Sequence, residues 1–253
     1  REICTQLSKN QKTDLEKELL AGLIKNQYPV YAYSSTEYIK DVGTVERLKK
    51  SEDDLQNGIV SQRSLKQKQK AIFLDRDGTI NRKKGLIFQE DQFELEDGAA
   101  DAIHKINDSG YLAIVVTNQP VVARGMCTIE QLEKIHMKME TLLGNQGAYL
   151  DEICYCPHHP DKGYPEENPI YKIPCCCRKP NIGMVEKCVE KYNIDLNQSW
   201  IIGDTTVDIQ TGKNANMHTA LVLTGDAGKD HKYSVTADLV CKNLLEAVEK
   251  IIK

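Results

Sequence analysis

The sequence predicts an α/β fold, a doubly wound parallel sheet, on three observations. Short apolar runs of strand length recur from about residue 70 onward, stretches with apolar residues at helical spacing separate them, and polar clusters follow the ends of the runs. The first run is Ala71-Ile-Phe-Leu74. Ala100, Ile103 and Ile106 then mark a helix, and Tyr111 to Val116 is the next strand. Thr128-Ile-Glu-Gln131 has the form of a capping box, opening a helix whose Leu132, Ile135, Met139, Leu142 and Leu143 share one face. Further strands are expected over Tyr149 to Tyr155, Trp200 to Ile202 and Ala220 to Leu223, with Met184, Cys188 and Val189 on a helix between them.

Of the 253 residues 40% are hydrophobic and 28% charged, an ordinary balance for a globular chain and a poor one for a disordered or fibrous chain. No run approaches the roughly 18 apolar residues of a membrane span, and Arg1, Glu2 and Ile3 begin no apolar signal core, so a cytoplasmic location and no membrane partner are expected. A first residue of Arg rather than Met reads as a fragment or processed chain. The net charge of -4 supplies no field for nucleic acid, so an anionic small molecule would need locally placed cations. Residues 51–69 are polar and charged and read as a linker between a small N-terminal α+β extension, 1–50, and the main domain, 70–253.

Chemistry is expected where strands end, because ligands of doubly wound sheets sit at the carboxyl edge. The first strand runs into Asp75-Arg-Asp77-Gly78-Thr-Ile-Asn81, the second into Thr117-Asn118, and the Trp200 strand into Gly203-Asp204-Thr-Thr-Val-Asp208; Arg178-Lys179-Pro180 precedes that strand. Two carboxylates two residues apart can project to one side and repel unless a cation lies between them, which points to a divalent metal. Hydroxyl and lysine groups at neighbouring strand ends are suited to holding a transferring phosphoryl group.

These four motifs, in this order, resemble the haloacid dehalogenase superfamily of phosphatases, a Rossmannoid fold. The resemblance implies that Asp75 attacks phosphorus to form an aspartyl-phosphate, and that Asp77 protonates the leaving alcohol and then activates water. It implies Mg2+ held by the Asp75 carboxylate, the Asp77 backbone carbonyl and Asp204. Thr117 and Lys179 would bind phosphoryl oxygens, and Asp208 would orient Lys179 or the metal shell.

Nine cysteines, five of them between Cys154 and Cys177, do not form the spread-out pattern of a disulfide framework. Cys156-Pro-His158 and Cys175-Cys-Cys177 offer three thiolates and an imidazole to a structural, tetrahedral Zn2+, with no position left for a catalytic water. Alternation in an extended segment turns Cys176 and His159 away. The intervening loop carries Pro and Gly and supplies no core, and a zinc would fold it and so place Arg178 and Lys179.

Asp-x-Asp-Gly-Thr-x-Asn, Thr-Asn-Gln with a following Ala-Arg-Gly, Cys-Pro-His-His-Pro and Cys-x-Cys-Arg-Lys-Pro together look like the D-glycero-D-manno-heptose 1,7-bisphosphate 7-phosphatases, from Ala71 to about Lys250. The likeness implies a small phosphorylated sugar as substrate, contacted by Asn118, Arg124, Arg178 and Lys179, the arginines suiting the second phosphate through forked hydrogen bonds. Pro120-Val121 replaces the usual Ser-Gly of that group, and the loop between the zinc pairs is longer. Histidinol-phosphate phosphatases share the motifs with a shorter loop and are the alternative. An inactive zinc-bearing interaction module is an alternative of another class, against which the full set of acidic and basic residues stands.

The stretch Tyr38 to Leu48, with Asp41-Val-Gly-Thr44, resembles the end of the catalytic domain of sugar-phosphate nucleotidyltransferases, where the residue matching Asp41 is a metal ligand. The Gly-rich nucleotide-binding start is missing, so the piece cannot transfer nucleotides by itself. A fused or associated nucleotidyltransferase domain would suit a route to a nucleotide-activated heptose for lipopolysaccharide or capsule, with the α-anomer feeding a GDP-sugar. Composition alone gives a helix and a hairpin within Asp14 to Leu48.

Overall fold

In a computed structural model, residue 7 and residues 10–31 and 35–253 are described. The opening residues Arg1 to Ile3, and Ala32 and Tyr33 of the N-terminal piece, lie outside the described residues. The chain divides into two compact units, residues 1–35 and 36–253.

In the first unit Asp14 caps a π-helical stretch, Leu15–Leu20, by accepting from the backbone N–H of Glu16 and Lys17 at 3.0 and 2.8 Å, and the stretch continues into α1, Ala21–Lys25. Among the described residues before Lys70 there are helices and no strand. The described part of Asp14 to Leu48 thus shows the expected helix, and no strand of the expected hairpin is seen among its described residues.

The second unit opens with α2, Val45–Gln56, and α3, Ile59–Gln62, so the polar stretch read as a linker is in part helical. Thr44 caps α2, accepting from Arg47 N–H at 3.2 Å. Arg63 then donates to the Asn107 carbonyl and the Tyr149 hydroxyl, each at 3.2 Å, which anchors the stretch on the main body.

The sheet is built from β1 (Lys70–Leu74), β2 (Tyr111–Asn118), β3 (Glu152–Cys156), β4 (Trp200–Gly203), β5 (His218–Val222) and β6 (Leu239–Cys241), all parallel, in the order β3-β2-β1-β4-β5-β6. Alternation puts Ile72, Leu74, Ala113, Val115 and Ile202 on one face, where they pack with residues of α4 (Ala99–Asp108), α5 (Ile129–Gly144) and α8 (Leu244–Ile251). Ala71, Phe73, Ile114, Val116 and Ile201 face the other way, onto Met184, Val185, Cys188 and Tyr192 of α6 (Gly183–Tyr192). Strands buried on both faces read as continuous apolar runs, and burying each Val, Leu, Ile or Phe side chain among them contributes about 1.5–3 kcal/mol.

The Thr128 capping box forms as the sequence implies: Gln131 N–H donates to Thr128 Oγ1 at 3.2 Å and Thr128 N–H to Gln131 Oε1 at 2.9 Å. Two elements carried too weak a pattern to read: β6, a three-residue edge strand, and α7 (Thr206–Asn214), whose sequence is mostly polar; α8, with Leu244, Ala247, Val248 and Ile251 at helical spacing behind an Asn243 cap, was legible and passed over. β3 starts at Glu152, three residues later than expected, because Asp151 closes the approach, its N–H donating to Ala113 O and its carboxylate accepting from Ala113 N–H, both at 2.8 Å.

Candidate active site

The order of the strands reverses between β1 and β4, the crevice where doubly wound sheets bind ligands. Asp75 follows β1, Thr117 and Asn118 end β2, and Asp204 follows β4, so a parallel register brings three distant sequence clusters to one edge. Their side chains line a cavity of about 260 Å3, together with Asp77, Arg124, Arg178, Lys179 and Asp208. Every residue expected at the phosphate-handling site is therefore brought together.

Lys179 is the central cation. Its Nζ donates to Asp75 Oδ1 at 2.7 Å and to Asp208 Oδ1 at 2.5 Å. Burial works against its charge, but the two carboxylates outweigh that and raise its pKa above the usual lysine value. Asn118 holds the Lys179 backbone at both ends, accepting from its N–H at 3.0 Å and donating to its carbonyl at 3.1 Å. A residue expected to touch substrate thus has both polar ends of its side chain engaged with the main chain of the lysine.

Oxygens of Asp75, Asp204 and Asp208 all lie within 4.8 Å of one another. Burial, with the neighbouring carboxylates, pushes Asp75 up to about 6 against the pull of Lys179, and pushes Asp204 up to about 8. Asp204 Oδ1 is buried with no hydrogen-bond partner, while Oδ2 accepts from Asp226 N–H at 2.7 Å. Crowded, buried carboxylates with an orphan oxygen are a donor set for a hard divalent cation. Glycines make the cradle: Gly78 has φ +87°, and a Cβ there would stand 2.4 Å from Asp204 Oδ2.

Asp77 behaves differently from Asp75. Its carboxylate is not among the clustered oxygens; it accepts two bonds of 2.9 Å from Arg76 Nη2, one of 2.8 Å from Gln119 Nε2 and one of 3.1 Å from Asn81 Nδ2. Burial would raise its pKa, but the Arg76 charge and these donors prevail and hold it below the usual carboxylate range. The two carboxylates of the first motif, expected to share one side, are thus turned to different partners. Any metal contact of Asp77 falls to its backbone carbonyl, as the resemblance implies.

Arg76 escaped the sequence reading. It is 0% exposed and also meets His136 Nε2 at 3.3 Å, and burial followed by the Arg76 charge pushes that imidazole down to about 3. A neutral ring therefore faces the arginine. An arginine directly beside an apolar strand end was the one available signal. Gln119, which also donates to Thr117 Oγ1 at 2.9 Å, and Lys83, 3.4 Å from Asp204 Oδ2, were likewise missed. Nothing local to them announces a partner so far away in the chain.

The second cluster forms at the end of β3. Cys156, His158, Cys175 and Cys177 have sulfur-to-sulfur distances of 3.1–3.4 Å, and His158 Nδ1 lies 3.4 Å from Cys177 Sγ and 3.7 Å from Cys156 Sγ. Tetrahedral zinc with bonds of about 2.3 Å needs sulfurs about 3.8 Å apart, a small expansion of this arrangement. Cys176 is exposed, and His159 is turned to its own loop, its Nδ1 accepting from Asp161 N–H at 3.2 Å. The chosen ligands converge and the two set aside do not.

A HAD-hydrolase-like family model matches residues 176–247. A curated D-glycero-beta-D-manno-heptose-1,7-bisphosphate 7-phosphatase of Haemophilus ducreyi is 36% identical over 180 residues, covering 71% of this chain and 96% of that protein. The protein of the same name from Escherichia coli K12 is 37% identical over 183 residues, 72% of this chain and 94% of its own. Among solved structures, the D,D-heptose 1,7-bisphosphate phosphatase of B. bronchiseptica complexed with magnesium and phosphate aligns with a TM-score of 0.64 and 30% identity, over 73% of this chain and 98% of that one. With a parallel sheet, a carboxylate-lysine centre and near full-length coverage of these relatives, the chain belongs to the D-glycero-beta-D-manno-heptose-1,7-bisphosphate 7-phosphatase family of HAD-like hydrolases.

Proposed function

We propose that this enzyme removes the 7-phosphate of D-glycero-D-manno-heptose 1,7-bisphosphate through an aspartyl-phosphate on Asp75. The observation that carries the reading is the Asp75 carboxylate, held 2.7 Å from Lys179 Nζ in a cavity shared with Thr117, Asp204 and the two arginines. Lys179 fixes the orientation of the attacking oxygen and offsets repulsion between it and a phosphate dianion. As the Asp75 oxygen bonds to phosphorus, the bond to the sugar O7 breaks and Asp77 delivers the proton to that oxygen. An incoming dianion raises the Asp77 pKa and so favours the protonated form needed at this step. Asp77 then takes a proton from the water that releases phosphate, a step suited by the anionic form that Arg76 and Gln119 stabilise. Thr117 holds a phosphoryl oxygen through its hydroxyl.

Mg2+ fits the carboxylates of Asp75 and Asp204 and would supply charge stabilisation for the phosphoryl oxygens. Zn2+ fits Cys156, His158, Cys175 and Cys177 and would tie the loop that carries Arg178 and Lys179 to β3. Arg124 and Arg178 would contact the phosphate that is not hydrolysed. The catalytic domain is 70–253, preceded by 51–69, and the likeness of Tyr38 to Leu48 to nucleotidyltransferases supports a fused or associated domain of that kind. Asp41 caps Gly43 N–H at 3.0 Å and pairs with Arg47. No helix among the described residues is long and apolar enough to cross a membrane, in keeping with a cytoplasmic enzyme.

The test is turnover of the α- and β-anomers of the bisphosphate and of histidinol phosphate by the wild type and Asp75→Asn, with Mg2+ present. The relatives are named for the β-anomer, while the N-terminal likeness favours the α-anomer, so the ratio of the two kcat/KM values decides between them. Unchanged activity in Asp75→Asn would remove the aspartyl-phosphate. A higher kcat/KM on histidinol phosphate would overturn the substrate.

A further inference from the structure

The long insert between the two zinc-spaced pairs lies against the loop that follows β2. Asn168 N–H donates to Ala123 O at 2.9 Å, and a Cβ on Gly125, at φ +71°, would stand 1.7 Å from Glu166 O. Only a glycine lets the two backbones approach so closely. Arg124 sits at this junction, with its guanidinium carbon 4.2 Å from the centroid of the Tyr164 ring, and its Nε is buried without a hydrogen-bond partner.

Tyr164 is itself fixed from below. The Glu167 carboxylate accepts from Gly163 N–H at 3.1 Å and from Tyr164 N–H at 3.5 Å, and pairs at 3.3 Å with Lys172, whose side chain is 3% exposed. The Lys172 ammonium lies 4.9 Å from the same ring, and His159 meets it edge-on at 6.2 Å. A guanidinium near an aromatic ring keeps its in-plane N–H groups for a forked contact with phosphate, while the contact restricts its rotamers before substrate arrives. Arg124 lines the cavity that holds Asp75.

We propose that Tyr164 is a positioning residue that pre-orients Arg124 toward the phosphate that is not hydrolysed, making the long loop a determinant of bisphosphate over monophosphate. The inference rests on the bisphosphate reading above. It adds a residue from the segment in which this chain is longer than the group it resembles.

Two measurements test it. In kinetics with heptose 1,7-bisphosphate and heptose 7-phosphate, Tyr164→Ala is expected to raise KM for the bisphosphate about tenfold with kcat nearly unchanged, and to leave the monophosphate unaffected. Tyr164→Phe keeps wild-type behaviour, and Tyr164→Leu, with apolar bulk but no ring, follows the alanine variant. In peptide-resolved phenylglyoxal labelling of the substrate-free enzyme, Arg124 reacts about fivefold faster in the alanine and leucine variants than in wild type. Equal labelling, or a leucine variant with wild-type KM, overturns the proposal. So does a kcat loss shared by both substrates. A wild type that shows no preference for the bisphosphate refutes the substrate reading and the anchoring role together, and labelling still reports separately whether Tyr164 holds Arg124.

Discussion

The Lys179 ammonium is bonded to Asp75 at 2.7 Å although the two residues lie 104 positions apart. The same nitrogen reaches Asp208, so one cation serves two buried carboxylates. Lys179→Met would leave both without it. Removing one partner of a buried ion pair costs about 3–5 kcal/mol, and losing a preorganised charge at a transition state costs about 10²–10³ in kcat. A lowered urea midpoint together with that loss of turnover is expected; a variant as active as wild type would mean that the charge is not used.

Metal-free protein should lose stability as pH rises. Asp75 and Asp204 are pushed up to about 6 and about 8 from the ordinary carboxylate value of 3.8. The folded state then keeps protons that the unfolded chain has released, so their contribution is complete below about pH 4 and lost as pH climbs through 6 to 8. Urea midpoints in a chelator should fall from pH 5 to pH 8, and less steeply in Asp204→Asn. Mg2+ at a hundredfold excess over its Kd should restore about 2.7 kcal/mol at pH 8. A midpoint that rises over this range would contradict the assignment.

Gly78→Ala should impair the metal centre more than the fold. The left-handed backbone at φ +87° strains any side chain, and the new Cβ would meet Asp204 Oδ2 at 2.4 Å. Calorimetric titration with Mg2+ should show binding at least about tenfold weaker, a loss of about 1.4 kcal/mol. Wild-type affinity would place the ion elsewhere.

Zinc should be present at one per chain, and Cys175→Ser should lose it. Elemental analysis reads the first outcome. The second should appear as a melting temperature lower by several degrees, since each kcal/mol shifts it by about 2–4 °C in a domain of this size. Zinc retained in full by the serine variant would exclude that sulfur from the ligand set.

The positions where chemistry would collect were readable because each motif follows or approaches an apolar run, and a parallel sheet sends all such ends to one edge. Cys156, His158, Cys175 and Cys177 were readable because alternation selects every second side chain within a short segment. β6 and α7 were not: three edge residues carry no period, and a polar helix lacks the apolar stripe that would mark it.

What the amino-acid order determined by itself was the fold class, from alternating strand-length and helix-length runs, and the four phosphate-handling motifs and the Cys156, His158, Cys175 and Cys177 candidates, from short local spacings. Tertiary packing alone decided that Asp75 turns to Lys179 while Asp77 turns to Arg76 and Gln119, that Asn118 grips the lysine backbone, and that Tyr164 lies against Arg124. Those outcomes depend on which buried charge finds a partner across tens of residues, and desolvation makes any unpaired choice costly only once the surrounding chain has closed over it.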